Sequence, residues 1–136
     1  MSHEDSAGLR KNPRYESHAL VEVRTSRWNP FAIESAVLID LSWDGFKIEF
    51  VNPMKSIPPK TRLRFSIPLA PFEISHPRIL KLNADVRWFD PRNFRCGGVF
   101  HHGDSDETFL LSKVIDYVAR KKAIQDAAVS AAGDDE

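Results

Sequence analysis

The stretch Ile39-Asp40-Leu41-Ser42-Trp43-Asp44-Gly45-Phe46 joins two apolar-rich runs through a short polar turn. The run before it, from about Glu34 to Asp40, is almost continuously apolar. The run after it begins at Gly45 and alternates, with apolar side chains at every second position from Phe46 to Phe50. Alternation with a period of two is typical of strands that have one buried face, so this stretch predicts two strands joined by a tight turn.

Four further strands are predicted around this pair, each bounded by turn signals that contain proline. They run from about Ala19 to Arg27, Leu63 to Ile67, Leu80 to Trp88 and Phe94 to His101. Trp88 falls on the inward set of its strand, so we expect its ring in the core. Six short strands with one buried and one solvated face predict an all-β fold, an antiparallel barrel.

One helix is predicted after the last strand, because the apolar period changes there from two to about 3.6. Asp104 and Glu107 fit the N-terminal cap of a helix that spans residues 105–123. Three cations, Arg120, Lys121 and Lys122, suit the negative end of such a helix. The helix is therefore expected to stop just after these cations and to pack against the barrel.

The remaining segments complete the predicted domain organisation. Residues 1–8 are small and polar and are expected to be a flexible N-terminus. Residues 9–123 form the predicted domain, and residues 124–136 are expected to be a frayed acidic tail.

Composition excludes several classes of function. Lys and Arg total 19, as do Asp and Glu, so no net field attracts DNA, RNA or an anionic membrane. No apolar run is long enough to insert in a membrane, and we expect a cytoplasmic protein. The single cysteine, Cys96, excludes a disulfide framework and lies in an apolar segment, where a packed thiol is expected.

Four polar residues could form an anion site with the turn. Arg10 and Arg14 each present a planar fork of donors that matches phosphate oxygens or a guanine edge. Asp40 accepts hydrogen bonds from the N–H groups of a guanine, and Ser42 offers a hydroxyl. Gly45 would allow the strand to restart after the turn with backbone angles that other residues resist. The alternative for the turn is a hairpin corner held by a side-chain-to-backbone bond.

The spacing of these residues resembles the paired motif of PilZ domains. Arg10-x-x-x-Arg14 is followed, after 25 intervening residues, by Asp40-x-Ser42-x-x-Gly45. Two further units, Val86-Arg87-Trp88 and Gly98-Val99-Phe100, resemble strands of that family, as does the terminal helix. The resemblance covers about Leu9 to Ala123.

The resemblance implies a six-stranded barrel that binds cyclic di-GMP as a ligand, with no cofactor and no catalysis. It implies that Arg10 and Arg14 grip phosphate and guanine, that Asp40 and Ser42 read a guanine, and that Gly45 shapes the turn. In that family, the residue at the position of Leu9 influences whether one ligand or a stacked pair of ligands binds. The resemblance implies that leucine at this position favours one ligand. Further candidate contacts are Lys11, Trp43, which could stack on a base, and Gly98.

Other sites are less consistent with the sequence. His101 and His102 are adjacent on a strand and point to opposite faces, which disfavours a metal site with Asp104. Trp28, Trp88 and Phe100 are better explained by core packing than by a platform for nucleic acid. No residue set resembles an active site.

The resulting hypothesis is a bacterial cyclic di-GMP receptor that orders its N-terminal arginine arm on binding and signals through an unidentified effector protein. The alternative is a ligand-independent interaction module that uses the barrel and the C-terminal helix.

Overall fold

The computed structural model describes residues 14–24 and 33–134. It contains seven strands, a short 3-10 turn at Ala70–Phe72 and one long helix. The strands are β1 (Tyr15–Glu16), β2 (Leu20–Arg24), β3 (Glu34–Leu41), β4 (Gly45–Phe50), β5 (Arg62–Pro68), β6 (Ile79–Asp90) and β7 (Arg95–His101), and the helix is α1 (Ser105–Asp134). The predicted extension of the first strand to Arg27 falls partly outside the described residues.

Six of the strands form a closed antiparallel barrel. They pair in the order β3-β2-β5-β6-β7-β4, and pairing of β3 with β4 closes the ring. The short β1 pairs with the C-terminal end of β3, and α1 follows the barrel in sequence. The predicted six-stranded antiparallel barrel with a C-terminal helix is confirmed.

The core is built from the inward side chains of the alternating strands. Phe46, Phe65 and Phe100 meet inside the barrel with ring centroids 4.8–5.8 Å apart. From α1, Leu111 and Val114 are fully buried and join this cluster. Burial of each such side chain contributes about 1.5–3 kcal/mol to stability. Because this burial favours apolar residues at the inward positions of each strand, the period-two pattern identified the strands.

The prediction that Trp88 lies in the core is wrong. The ladder between β6 and β7 shifts register between Val86 and Trp88, which is an irregularity of the β-bulge type. Trp88 is 40% exposed, and its ring lies against the backbone of Gly97. Sequence alternation assumes an uninterrupted pleat, so a bulge at this point turns the ring outward.

Helix α1 begins as predicted but ends later. Asp104 Oδ1 accepts a hydrogen bond of 2.9 Å from the backbone N–H of Glu107, so the predicted N-terminal cap is confirmed. The helix continues to Asp134, so the predicted end at Ala123 is wrong, and so is the predicted frayed tail between residues 124 and 134. The residues after Ala123 are rich in alanine, which has the highest helix propensity, and the helix continues through them. No helix in the described ranges is both long enough and apolar enough to cross a membrane.

Candidate functional site

The turn between β3 and β4 is held by its own serine. The backbone N–H of Gly45 donates to Ser42 Oγ at 3.1 Å, and the N–H of Ser42 donates to the Gly45 carbonyl at 3.0 Å. Ser42 is only 4% exposed. This is the side-chain-to-backbone turn that serine forms readily. The hydroxyl therefore has a structural role, and its contact with a ligand stays a prediction.

Gly45 is required by close approach of strands rather than by backbone angles. None of the glycines in the described ranges has a positive φ, so the expected need for unusual angles is wrong. A Cβ at Gly45 would instead overlap the carbonyl oxygen of Gly98 on β7. A Cβ at Gly98 would in turn overlap the carbonyl oxygen of Asp85 on β6. Both glycines let neighbouring strands pack closely behind the turn.

Strand β1 brings Arg14 and the residues that follow it to the turn. Tyr15 and Glu16 pair with Leu41 and Asp40 at the end of β3. The backbone N–H of Ser17 also donates to the Ile39 carbonyl at 2.9 Å. In this antiparallel register the residue before Tyr15, Arg14, lies level with the start of the turn. Residues far apart in sequence thus become neighbours.

Arg14 and Asp40 line one groove of about 1070 Å³ between this sheet edge and α1. That volume is at the upper end of the roughly 300–1,000 Å³ typical of small-molecule sites. Both walls of the groove carry charges. The barrel side contributes Arg14, Glu16, Asp40 and Lys47, and α1 contributes Lys121, Lys122 and Asp126.

Trp43 has an aromatic partner that the sequence did not reveal. Its ring is stacked on that of His102, with centroids 4.5 Å apart and planes 20° from parallel. The next residue, Asp44, accepts a backbone hydrogen bond of 2.8 Å from Phe100 through its carbonyl. These contacts attach the turn to the end of β7, and stacking of Trp43 on a base stays a prediction.

The two adjacent histidines diverge, as strand alternation predicts. His101 Nε2 lies 2.7 Å from Asp85 Oδ2, whereas His102 stacks on Trp43. Among residues 14–24 and 33–134, no three His, Cys, Asp or Glu side chains are grouped as metal ligands would be.

Asp85 on β6 and Cys96 on β7 have shifted pKa values. A hydrogen bond from Arg62 Nε, at 2.9 Å, is the main cause that lowers the pKa of the Asp85 carboxyl, and His101 acts in the same direction. Burial raises the pKa of the Cys96 thiol to about 12. Cys96 is fully buried, so the thiol is packed and protonated, which agrees with its predicted role.

The structure shows where part of the predicted site lies, and contacts of its residues with a ligand stay predictions. Leu9, Arg10 and Lys11 lie outside the described residues. Arg14 and Asp40 share the groove, while the turn and strand glycines shape the backbone beside it. The sequence reasoning missed the groove-lining cations Lys47, Lys121 and Lys122. Lys47 could have been found, because it is the first outward residue of β4 and is opposite Asp40.

The fold of this chain is similar to those of several solved structures. It is similar to the inhibitor of motility MotI/DgrA of Bacillus subtilis, with 17% identity and a TM-score of 0.62 over 85% of this chain. This chain covers 51% of MotI/DgrA, about half of its length. At such identity the likeness shows a shared fold.

Two isolated PilZ domains match over almost their whole length. The PilZ domain of CeSA from a cellulose-synthesizing bacterium has 22% identity and a TM-score of 0.57, with 81% of this chain and 98% of that chain covered. The PilZ domain of YcgR from Escherichia coli, solved with c-di-GMP, has 12% identity and a TM-score of 0.66, with coverage of 88% and 98%.

The family is shown by the sequence itself. Comparison with curated protein sequences returns no match. The family model described as the PilZ domain, however, matches residues 8–120, which is most of the chain. That range contains β1, the whole barrel and the first half of α1. The chain belongs to the PilZ domain family.

Proposed function

We propose that this protein is a receptor for cyclic di-GMP, not an enzyme, and that it signals through a partner protein. Ligand binding orders the arm that carries Arg10 and Arg14 against the barrel, and an effector protein recognises the changed surface. The residues proposed to contact the ligand are Arg10, Arg14 and Asp40, with the Ser42–Gly45 turn as their support.

One observation carries the proposal: Arg14 and Asp40 line the same groove. They are separated by 25 residues in sequence, and β1 pairing brings them together at the end of β3. An arginine fork and a carboxylate acceptor in one groove match a ligand that has both phosphates and guanine edges. A related domain, that of YcgR, was solved with c-di-GMP, which supports this choice of ligand.

The support residues give the groove a rigid edge. The Ser42 hydroxyl and the close approach of Gly45 to Gly98 hold the backbone of the turn without using Asp40. A preorganised edge lowers the entropy lost on binding, so the carboxylate can be used for the ligand.

Arg14→Ala should weaken binding of cyclic di-GMP at least ten-fold, as measured by isothermal titration calorimetry. A hydrogen bond to a charged group contributes about 1.5–3 kcal/mol, and about 1.4 kcal/mol corresponds to ten-fold in affinity. Arg14 is exposed, so the thermal midpoint of the free protein should be nearly unchanged.

The matched control is Arg64→Ala, which removes an exposed arginine from β5, and binding should be retained. Absence of binding by the folded wild-type protein at tens of micromolar ligand would refute the receptor. A large loss of stability in Arg14→Ala would instead identify Arg14 as structural.

The alternative function, a ligand-independent interaction module, is favoured by one feature of α1. Ile124 and Val129, in the second half of the helix, are 68% and 72% exposed. These side chains supply exposed apolar area that a protein partner would cover, although single exposed apolar residues are also ordinary on protein surfaces. The same calorimetric titration separates the two functions, because only the receptor requires the ligand.

A further inference from the structure

The inward face of α1 changes from apolar to cationic along its length. Leu111, Val114 and Val118 are buried at helical spacing and attach the first half of the helix to the barrel. One further turn along the same side, Lys121 and Lys122 line the groove. On the side of the helix that packs against the barrel, the buried apolar residues are thus followed by two lysines, which continue the line of the apolar stripe.

The helix dipole does not explain these cations. The sequence suggested that Arg120, Lys121 and Lys122 neutralise the carboxyl end of the helix. The helix in fact continues to Asp134, and its last turn has no basic residue. Because the favourable effect of a cation is confined to the last turn, it does not reach Lys121.

Local ion pairs account for one of the two lysines. Lys122 Nζ lies 3.2 Å from Asp126 Oδ2, one turn further along the helix. Within the part of the chain that the structure describes, no carboxylate lies within salt-bridge distance of Lys121. Its ammonium group is instead 5.8 Å from the centroid of the Tyr117 ring, which also lines the groove.

We infer that Lys121 is a phosphate-binding residue that contacts the ligand from the helix side of the groove, across from Arg14. The inference rests on the proposed function. Cyclic di-GMP has two phosphates, and two exposed cations of the groove, Arg14 just before β1 and Lys121 on α1, have no carboxylate within salt-bridge distance in the described part of the chain. The half-buried Lys47 on β4 lines the groove as well. A lysine ammonium acts as a mobile point charge and suits a phosphate.

This contact would lie outside the part of the chain that the family model matches. The PilZ family model ends at residue 120, so Lys121 lies just beyond the matched residues. The groove carries carboxylates as well as cations, among them Glu16 and Asp40. These carboxylates repel phosphate, so a phosphate in the groove is expected to lie beside the cations rather than beside the carboxylates.

Lys121→Ala should weaken cyclic di-GMP binding by about ten-fold in calorimetry, in line with loss of one charged hydrogen bond. Its affinity should also depend less on salt concentration than that of the wild-type protein, because one ionic contact is lost. Lys121→Arg keeps the charge and should retain most of the affinity. Lys121 is exposed and alanine favours helix, so the thermal midpoint without ligand should be unchanged.

The matched control is Lys113→Ala on the same helix. Lys113 is exposed, and its ammonium group lies over the Phe109 ring at 5.1 Å. Lys113→Ala removes the same charge from α1 as Lys121→Ala. Equal losses of affinity in the two variants would show that the effect comes from overall charge, and would overturn the inference.

Two further outcomes separate the inference from the proposed function. If wild-type protein binds and Lys121→Ala binds equally well, the inference is overturned and the receptor stands. If folded wild-type protein does not bind cyclic di-GMP, both are overturned.

Discussion

At the scale of single residues, the proposed site separates residues that support the backbone from residues proposed to contact the ligand. Ser42 and Gly45 hold the turn through hydrogen bonds with each other and through close packing on Gly98. Arg14 and Asp40 line the groove beside the turn. The motif spacing therefore reflects two physical requirements, a compact turn and a pair of charged side chains on its open side.

Gly45→Ala should lower the free energy of unfolding by about 1–3 kcal/mol, the usual cost of overpacking. The added methyl group would overlap the carbonyl oxygen of Gly98, which is backbone and cannot rotate away. Chemical denaturation monitored by fluorescence measures this difference.

Gly103→Ala is the matched control for this substitution. A methyl group at Gly103 would meet the carboxylate of Glu107, which is the flexible end of a side chain and can move. Its stability should remain close to that of the wild type. Equal stability of the two variants would show that the strands at Gly45 can separate to accept a side chain.

At the scale of elements, α1 has two parts with different environments. Its first half buries Leu111, Val114 and Val118 against the barrel. Every side chain described from Arg120 to Ser130 is exposed. Tertiary packing supports the first half, whereas alanine-rich sequence supports the second.

Ala128→Pro should reduce the helical signal in far-UV circular dichroism without lowering the thermal midpoint of the barrel. Proline removes a backbone donor and clashes with the preceding turn, a local cost of about 3 kcal/mol. Ala128 is exposed, so the core is not disturbed. Ala128→Ser provides the control and should retain the helix. A lower midpoint for Ala128→Pro alone would show that the second half of α1 stabilises the barrel.

At the scale of the whole molecule, the groove is assembled from the two ends of the domain. Arg14 comes before the barrel, Asp40 lies on β3, and Lys121 is on the helix that follows the barrel. Pairing of β3 with β4 closes the barrel, so neither of these two strands has an open edge where they pair. A ligand bound in the groove, as proposed, would therefore contact elements that are far apart along the chain.

Cyclic di-GMP should slow amide hydrogen exchange both in residues 9–13 and in the part of α1 around Lys121. Exchange is slowed where binding orders a segment or suppresses local opening. Mass spectrometry of the protein with and without ligand gives the comparison, and Arg14→Ala treated in the same way is the control. Protection in α1 without protection in residues 9–13, at full occupancy, would contradict ordering of the arginine arm.

Much of the fold and part of the site could be predicted from local sequence. Period-two alternation identified the barrel strands, because one face of each strand is buried. Asp104 marked the start of α1 through its cap. The motif spacing predicted that Arg14 and Asp40 belong to one site, and both line the same groove, while their contact with a ligand stays a prediction. Each of these predictions depends on neighbouring residues or on a short, regular spacing.

The sequence by itself determined the strand pattern, the start of the helix and the family motif, since these are written in local period and residue type. Only the tertiary structure decided that Trp88 lies outside the core, because a shift in pairing with β7 turns it outward. It alone also placed Lys121 in the groove, because that position depends on how α1 docks through Val118 and its neighbours. Strand register and helix docking are set by contacts between distant segments, and no local pattern specifies them.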